Sequence, residues 1–83
     1  MKRPFRHHDS ELACDGLPLR GLAEEFGTPL FVYSADHIRA SWRAIARAFR
    51  AAKPAIAYSV KANTNAAILA LLRDEGAFFD IVS

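Results

Sequence analysis

Apolar residues recur at the three- to four-residue spacing of an amphipathic helix in two segments. The first predicted helix, 18–26, begins with a proline, which suits a first helical turn, and stops at Gly27. The second predicted helix spans 35–51, and we expect Ser34 or Asp36 to cap it. Its apolar stripe consists of Ile38, Trp42, Ile45 and Phe49.

Short apolar runs bounded by turn residues predict strands at 30–33, 55–60 and 78–82. A third helix is expected between the last two strands, with Asn63, Thr64 or Asn65 as its cap and Gly76 as its end. The order strand, helix, strand favours a parallel βαβ unit, because parallel strands need a long crossover connection. The pattern therefore predicts an α/β protein.

The first 17 residues are more polar and predict little regular structure. A small hairpin over 5–14 is one interpretation, with turn signals at Asp9-Ser10 and Asp15-Gly16. A frayed terminus is the other.

Composition excludes several classes of protein. The 83 residues are 52% hydrophobic and 24% charged, which is typical of a globular chain. A single cysteine excludes a disulfide scaffold, and a net charge of +2 gives no reason to expect nucleic-acid binding. No apolar run approaches the ~20 residues of a membrane span, and no signal-peptide pattern is present. We expect a cytoplasmic protein with no metal site.

Lys61 is the strongest candidate for chemistry, because it stands at the carboxyl end of the most apolar predicted strand. Strand alternation places Lys61 on the same face as Ala57 and Ser59. Ligands of parallel α/β sheets bind at this edge, where a partly desolvated lysine acts as an amine nucleophile. Asp80 occupies the same region of the next strand and is a candidate partner. The alternative is a solvated lysine and an ordinary strand-end aspartate.

Three blocks of sequence resemble one enzyme family. Residues 58–65, YSVKANTN, resemble the cofactor-lysine motif of the fold-type III decarboxylases that depend on pyridoxal 5′-phosphate. Residues 27–34, GTPLFVYS, and 76–83, GAFFDIVS, resemble blocks of the diaminopimelate decarboxylases within that group. The order and spacing of the three blocks agree with that family.

The resemblance implies an alanine-racemase-like (β/α)8 barrel, here truncated after about two barrel strands. A complete barrel needs roughly 250 residues, so this chain would be one piece of it. Residues 1–27 would be a lead-in with a short helix, and 28–83 the start of the barrel domain. Strands 55–61 and 79–83 would be the first two of the barrel.

The resemblance also implies a reaction. Lys61 would hold pyridoxal 5′-phosphate as a Schiff base, Asp80 would lie beside it, and meso-diaminopimelate would be decarboxylated to L-lysine. The full-length enzyme would be a homodimer acting on a small amino acid. The family's phosphate-binding glycine-rich loop and its substrate-carboxylate arginine are absent from this chain, so we expect the 83 residues alone to be inactive.

Two alternatives stay open at this point. The chain is either part of another fold-type III enzyme, namely a racemase or a decarboxylase of ornithine, arginine or carboxynorspermidine, or it is a non-catalytic module that carries the cofactor or binds a partner. A short lysine motif does not separate these enzymes.

Overall fold

The structure is a computed structural model that describes residues 3–53 and 55–81. It is an α/β fold with five strands and three α-helices in the described residues. The strands are β1 (Phe5–His8), β2 (Glu11–Cys14), β3 (Leu17–Pro18), β4 (Ala57–Ser59) and β5 (Phe78–Asp80). The helices are α1 (Leu19–Phe26), α2 (Ala35–Ala48) and α3 (Ala66–Asp74). The chain divides into two compact units, the second of which begins at Ile38.

An antiparallel sheet in the order β1-β2-β3 forms the first unit together with α1. The predicted hairpin over 5–14 is confirmed, with Phe5 opposite Cys14. Its two turn residues, Asp9 and Ser10, both have positive φ, at 51° and 68°. Two consecutive positive φ angles are typical of the type I′ turn, whose twist matches that of the strands it joins.

The prediction for α1 is confirmed to within one residue. The helix begins at Leu19 rather than Pro18, because Pro18 pairs with Ala13 as the last residue of β3. Gly27 ends it as expected, with φ at 83° and its amide donating to the carbonyl of Ala23.

The predicted strand over 30–33 is wrong. These residues are non-helical and unpaired, and Phe31 is 86% exposed. A strand needs a neighbour to receive its backbone hydrogen bonds, and no described strand lies alongside this segment. The β-prone composition of these four residues therefore does not decide their conformation.

A serine and an aspartate hold the start of α2. Ser34 is the N-cap: its Oγ accepts from the amide of His37 at 2.9 Å and donates to Oδ1 of Asp15 at 2.5 Å. The other oxygen of Asp15, Oδ2, accepts from the amide of Asp36 at 3.1 Å. Two of the amides that a helix start leaves unpaired are thus satisfied, one of them by a residue of the β2–β3 turn.

Cys14 lies in the small core of the first unit, where it and Ala13 are 4% and 6% exposed. Burial, together with the negative charge of Asp15, raises the pKa of the Cys14 thiol. The thiol is therefore protonated at neutral pH and has a packing role.

The second unit contains a parallel βαβ arrangement, as predicted. β4 and β5 pair in parallel, with Tyr58 opposite Phe79 and Ser59 opposite Asp80, and α3 connects them. Both strands are shorter than predicted; the predicted continuation to Val82 and Ser83 lies outside the described residues. The buried face of α3 provides the core, with Ile68 at 9% and Leu72 at 5% exposure.

Specific residues cap both ends of α3. Asn65 is the N-cap and accepts from the amide of Ala67 at 2.9 Å. At the other end the amide of Gly76 donates to the carbonyl of Arg73, and that of Ala77 to the carbonyl of Leu72. This pair of bonds is the Schellman motif, and it requires the positive φ that Gly76 adopts, 97°.

The helix α2 ends at Ala48, three residues before the predicted end, and a 3-10 helix follows over Arg50–Ala52. Ile45 and Phe49 of its apolar stripe are 48% and 59% exposed. Arg43 of α2 makes a bidentate pair with Glu75 at 2.6 and 2.9 Å, which lowers the pKa of that carboxyl. No helix in the described ranges has both the length and the apolar content to cross a bilayer.

Replacing Ser34 with alanine removes the N-cap acceptor and the donor to Asp15. We expect Ser34→Ala to lower the free energy of unfolding by about 1–2 kcal/mol. Urea unfolding measures this change, with Ser34→Thr as the control that keeps a hydroxyl. Equal loss in both variants would contradict the capping role.

Two glycine substitutions test the positive φ at Gly76. We expect Gly76→Ala to lower the free energy of unfolding by about 1–2 kcal/mol, since a Cβ disfavours that backbone conformation. Gly21 lies inside α1 with open space around its Cα, so Gly21→Ala is expected to raise the free energy of unfolding by about 0.5–1 kcal/mol. Opposite signs in urea unfolding confirm the motif, and a neutral Gly76→Ala refutes it.

Candidate active site

Lys61 lies just beyond the carboxyl end of β4. The strand stops at Ser59, and Lys61 is the middle residue of a 3-10 helix over Val60–Ala62. The prediction that Lys61 shares a strand face with Ala57 and Ser59 is therefore wrong, because a 3-10 turn breaks the two-residue period of a strand. Lys61 is also exposed, so the desolvation expected for its amine is not found within the described residues.

Asp80 is the last residue of β5 and pairs in register with Ser59, the last residue of β4. It is exposed. The register thus brings Asp80 level with a residue only two positions before Lys61. Both predicted site residues lie at the carboxyl edge of the parallel sheet, the edge where α/β proteins bind ligands.

One face of β4 and β5 carries a pair of aromatic side chains. Tyr58 and Phe79 are register partners, and their rings meet edge to face with centroids 6.5 Å apart and planes at 88°. Side chains alternate between the two faces of a strand, so Ser59 and Asp80 lie on the other face. The aromatic pair thus joins the two strands one residue before each of them ends.

Three side-chain hydrogen bonds define the segment between Lys61 and α3. The hydroxyl of Tyr58 donates to the backbone carbonyl of Asn63 at 3.1 Å. The amide of Asn65 donates to Oδ1 of Asn63 at 3.0 Å. The third bond is the cap from Asn65 to α3. The segment is therefore tied at one end to the sheet and at the other to the helix.

Sequence reasoning missed the part played by Tyr58. Strand alternation predicts that Tyr58 lies on the face opposite Ser59, but it identifies no partner for the hydroxyl. The signal was available, because a half-buried tyrosine normally pairs its hydroxyl. Asn63, one of the predicted caps of α3, instead accepts a hydrogen bond from the amide of the observed cap, Asn65.

The described residues fit one end of pyridoxal 5′-phosphate. An aldehyde needs an accessible primary amine, and Lys61 provides one beside the carboxylate-bearing strand end. The four glycines of the sequence are well separated, so no glycine-rich phosphate loop is present in these 83 residues. Across the described ranges, no three metal-binding side chains cluster together.

Comparisons with known proteins show what the chain is similar to. The chain is 46% identical to the diaminopimelate decarboxylase of Pseudomonas aeruginosa over 79 residues, which cover 95% of the chain and 19% of that protein. It is also 46% identical to the enzyme of the same name from Aquifex aeolicus, covering 95% of the chain and 18% of the relative. The crystal structure of AQ1208 from Aquifex aeolicus superposes with a TM-score of 0.84 at 42% identity, over 96% of this chain and 20% of that one.

These matches fix the family. The chain spans about a fifth of the length of the curated relatives it matches. Residues 35–83 match the family model described as the pyridoxal-binding domain of the pyridoxal-dependent decarboxylases. This range includes β4, β5 and both predicted site residues. The chain therefore belongs to the pyridoxal-dependent decarboxylase family.

Proposed function

We propose that this chain is the N-terminal part of a diaminopimelate decarboxylase, which converts meso-diaminopimelate to L-lysine and CO₂. The observation that carries the proposal is Lys61 at the carboxyl edge of a parallel βαβ unit, within the range that matches a pyridoxal-binding domain. The names of the relatives, at 46% identity over nearly the whole chain, support this substrate over those of other decarboxylases.

Lys61 Nζ is the group proposed to bind the cofactor, pyridoxal 5′-phosphate. When bound, that cofactor withdraws electrons from the substrate carbon that loses CO₂. The exposed amine of Lys61 suits exchange with the amine of an incoming amino acid, because both nitrogens must reach the same aldehyde carbon. Asp80 is proposed to line the cofactor site, because it ends the neighbouring strand at the same edge of the sheet.

The proposed architecture places β4 and β5 as the first two strands of a (β/α)8 barrel. Residues 1–27 would be its lead-in and 28–83 the start of its pyridoxal-binding domain. Several apolar side chains of the second unit are exposed, and Phe78 and Ile81 reach 62% and 80%. In a protein five times longer, such as the relatives, further strands and helices would cover them. A homodimer is proposed for the full-length enzyme.

The cofactor lysine is tested by covalent trapping. We expect reduction of the cofactor-loaded full-length protein with borohydride to fix the cofactor on Lys61, as shown by peptide mapping. Lys61→Arg is expected to abolish the label and to reduce kcat by several orders of magnitude, because arginine keeps the charge but is never a free amine. Lys53→Arg is the matched control and should keep both the label on Lys61 and the kcat of the unsubstituted protein. A label on any other residue would refute the assignment.

The substrate is tested by a panel of amino acids. We expect the full-length protein to release CO₂ from meso-diaminopimelate with a kcat/KM at least about a hundredfold above that for ornithine or arginine, since a site that pairs a second amino-carboxylate end rejects substrates lacking it. Faster turnover of ornithine or arginine would move the chain to another branch of the family. Racemisation without CO₂ release would exclude a decarboxylase.

A further inference from the structure

We propose that Tyr58 is a positioning residue for Lys61: its hydroxyl holds the backbone carbonyl of Asn63 and so fixes the turn on which Lys61 stands. The inference rests on the proposed function, because it concerns the amine assigned to the cofactor. Tyr58 precedes Lys61 by three residues and Asn63 follows it by two. The bond between them therefore closes a loop around the lysine.

The sheet determines where the hydroxyl of Tyr58 lies. Tyr58 is half-buried in β4, and its ring packs edge to face on Phe79 of the neighbouring strand. Edge-to-face packing restricts the ring in orientation as well as in distance. The hydroxyl at the end of that ring thus presents a fixed donor 3.1 Å from the Asn63 carbonyl.

The Asn63 carbonyl depends on this donor. The 3-10 helix ends before Asn63, whose φ of −161° and ψ of 118° are extended, so a regular helix ladder does not continue through this residue. The side chain of Asn63 meanwhile accepts from the amide of Asn65, which caps α3. Asn63 is consequently held by the sheet through its backbone and by the helix through its side chain.

The consequence falls on the Lys61 amine. A lysine side chain has four rotatable bonds and loses substantial rotamer entropy when it is fixed in one place. A mobile turn would add backbone freedom to that cost. Holding residues 58 and 63 together restricts the backbone of Lys61, so that only its side chain has to be ordered when it meets an aldehyde.

The test compares the only two tyrosines of the chain, Tyr58 and Tyr33. Tyr58→Phe keeps the ring that packs on Phe79 and removes only the hydroxyl. Tyr33→Phe makes the same chemical change at a residue that is 53% exposed and lies outside the turn. Both variants are made in the full-length protein.

The first measurement needs no cofactor. Hydrogen exchange of the cofactor-free protein should show the amides of residues 60–63 exchanging about fivefold faster in Tyr58→Phe, the population change that corresponds to one neutral hydrogen bond. The amides of α1 serve as the internal reference and should not change. Tyr33→Phe should match the unsubstituted protein throughout.

The second measurement follows the lysine itself. We expect added pyridoxal 5′-phosphate, trapped by borohydride, to label Lys61 about three- to tenfold more slowly in Tyr58→Phe. A general loss of stability would reduce the final extent of labelling and leave the rate constant of labelling unchanged.

The outcomes separate the two proposals. Unchanged exchange at 60–63 in Tyr58→Phe, or labelling of Lys61 at the unsubstituted rate, overturns the positioning role. Failure to label Lys61 in the unsubstituted protein overturns the proposed function, and the exchange measurement still decides whether Tyr58 holds the turn.

Discussion

The parallel pairing of β4 with β5 is the constraint on which the second unit depends. Two parallel strands must be joined by a crossover that returns the chain to the starting edge, and α3 is that crossover. Because the strands point the same way, their carboxyl ends finish together, and Ser59 and Asp80 stand side by side. The placement of Lys61 and Asp80 at the same edge of the sheet follows from this topology, even though the two residues are far apart in the sequence.

The elements that local chemistry determines were the ones predicted well. The N-cap at Asn65 and the glycines after α1 and α3 act through their own backbone and side-chain geometry, which a sequence shows directly. The segment 30–33 failed for the opposite reason, since strand formation depends on a neighbour that local sequence does not reveal. Strand lengths failed in the same way: β4 ends at Ser59 because the chain turns there, and the apolar run gave no sign of that turn.

The sequence names two candidate site residues, but it does not reveal the geometry around them. A lysine at the end of an apolar strand and an aspartate at the end of the next are visible in the sequence, and the resemblance to a known family supports both. The tie between Tyr58 and Asn63 was not predicted, because it depends on a 3-10 turn that brings a strand residue back to a backbone carbonyl five positions later. Hydrogen bonds from a side chain to the backbone produce no periodic pattern in the sequence from which they could be predicted.

The carboxylate of Asp15 has a consequence for how the first unit assembles. It belongs to the tight turn between β2 and β3, yet both of its oxygens accept hydrogen bonds from the beginning of α2, including one from a serine 19 residues away. The contact between Asp15 and the start of α2 closes a loop of the chain, and forming that loop costs conformational entropy. Formation of the β2–β3 turn and of the first turn of α2 is therefore coupled. Unfolding either one removes hydrogen-bond partners from the other, so a substitution at Asp15 would destabilise both.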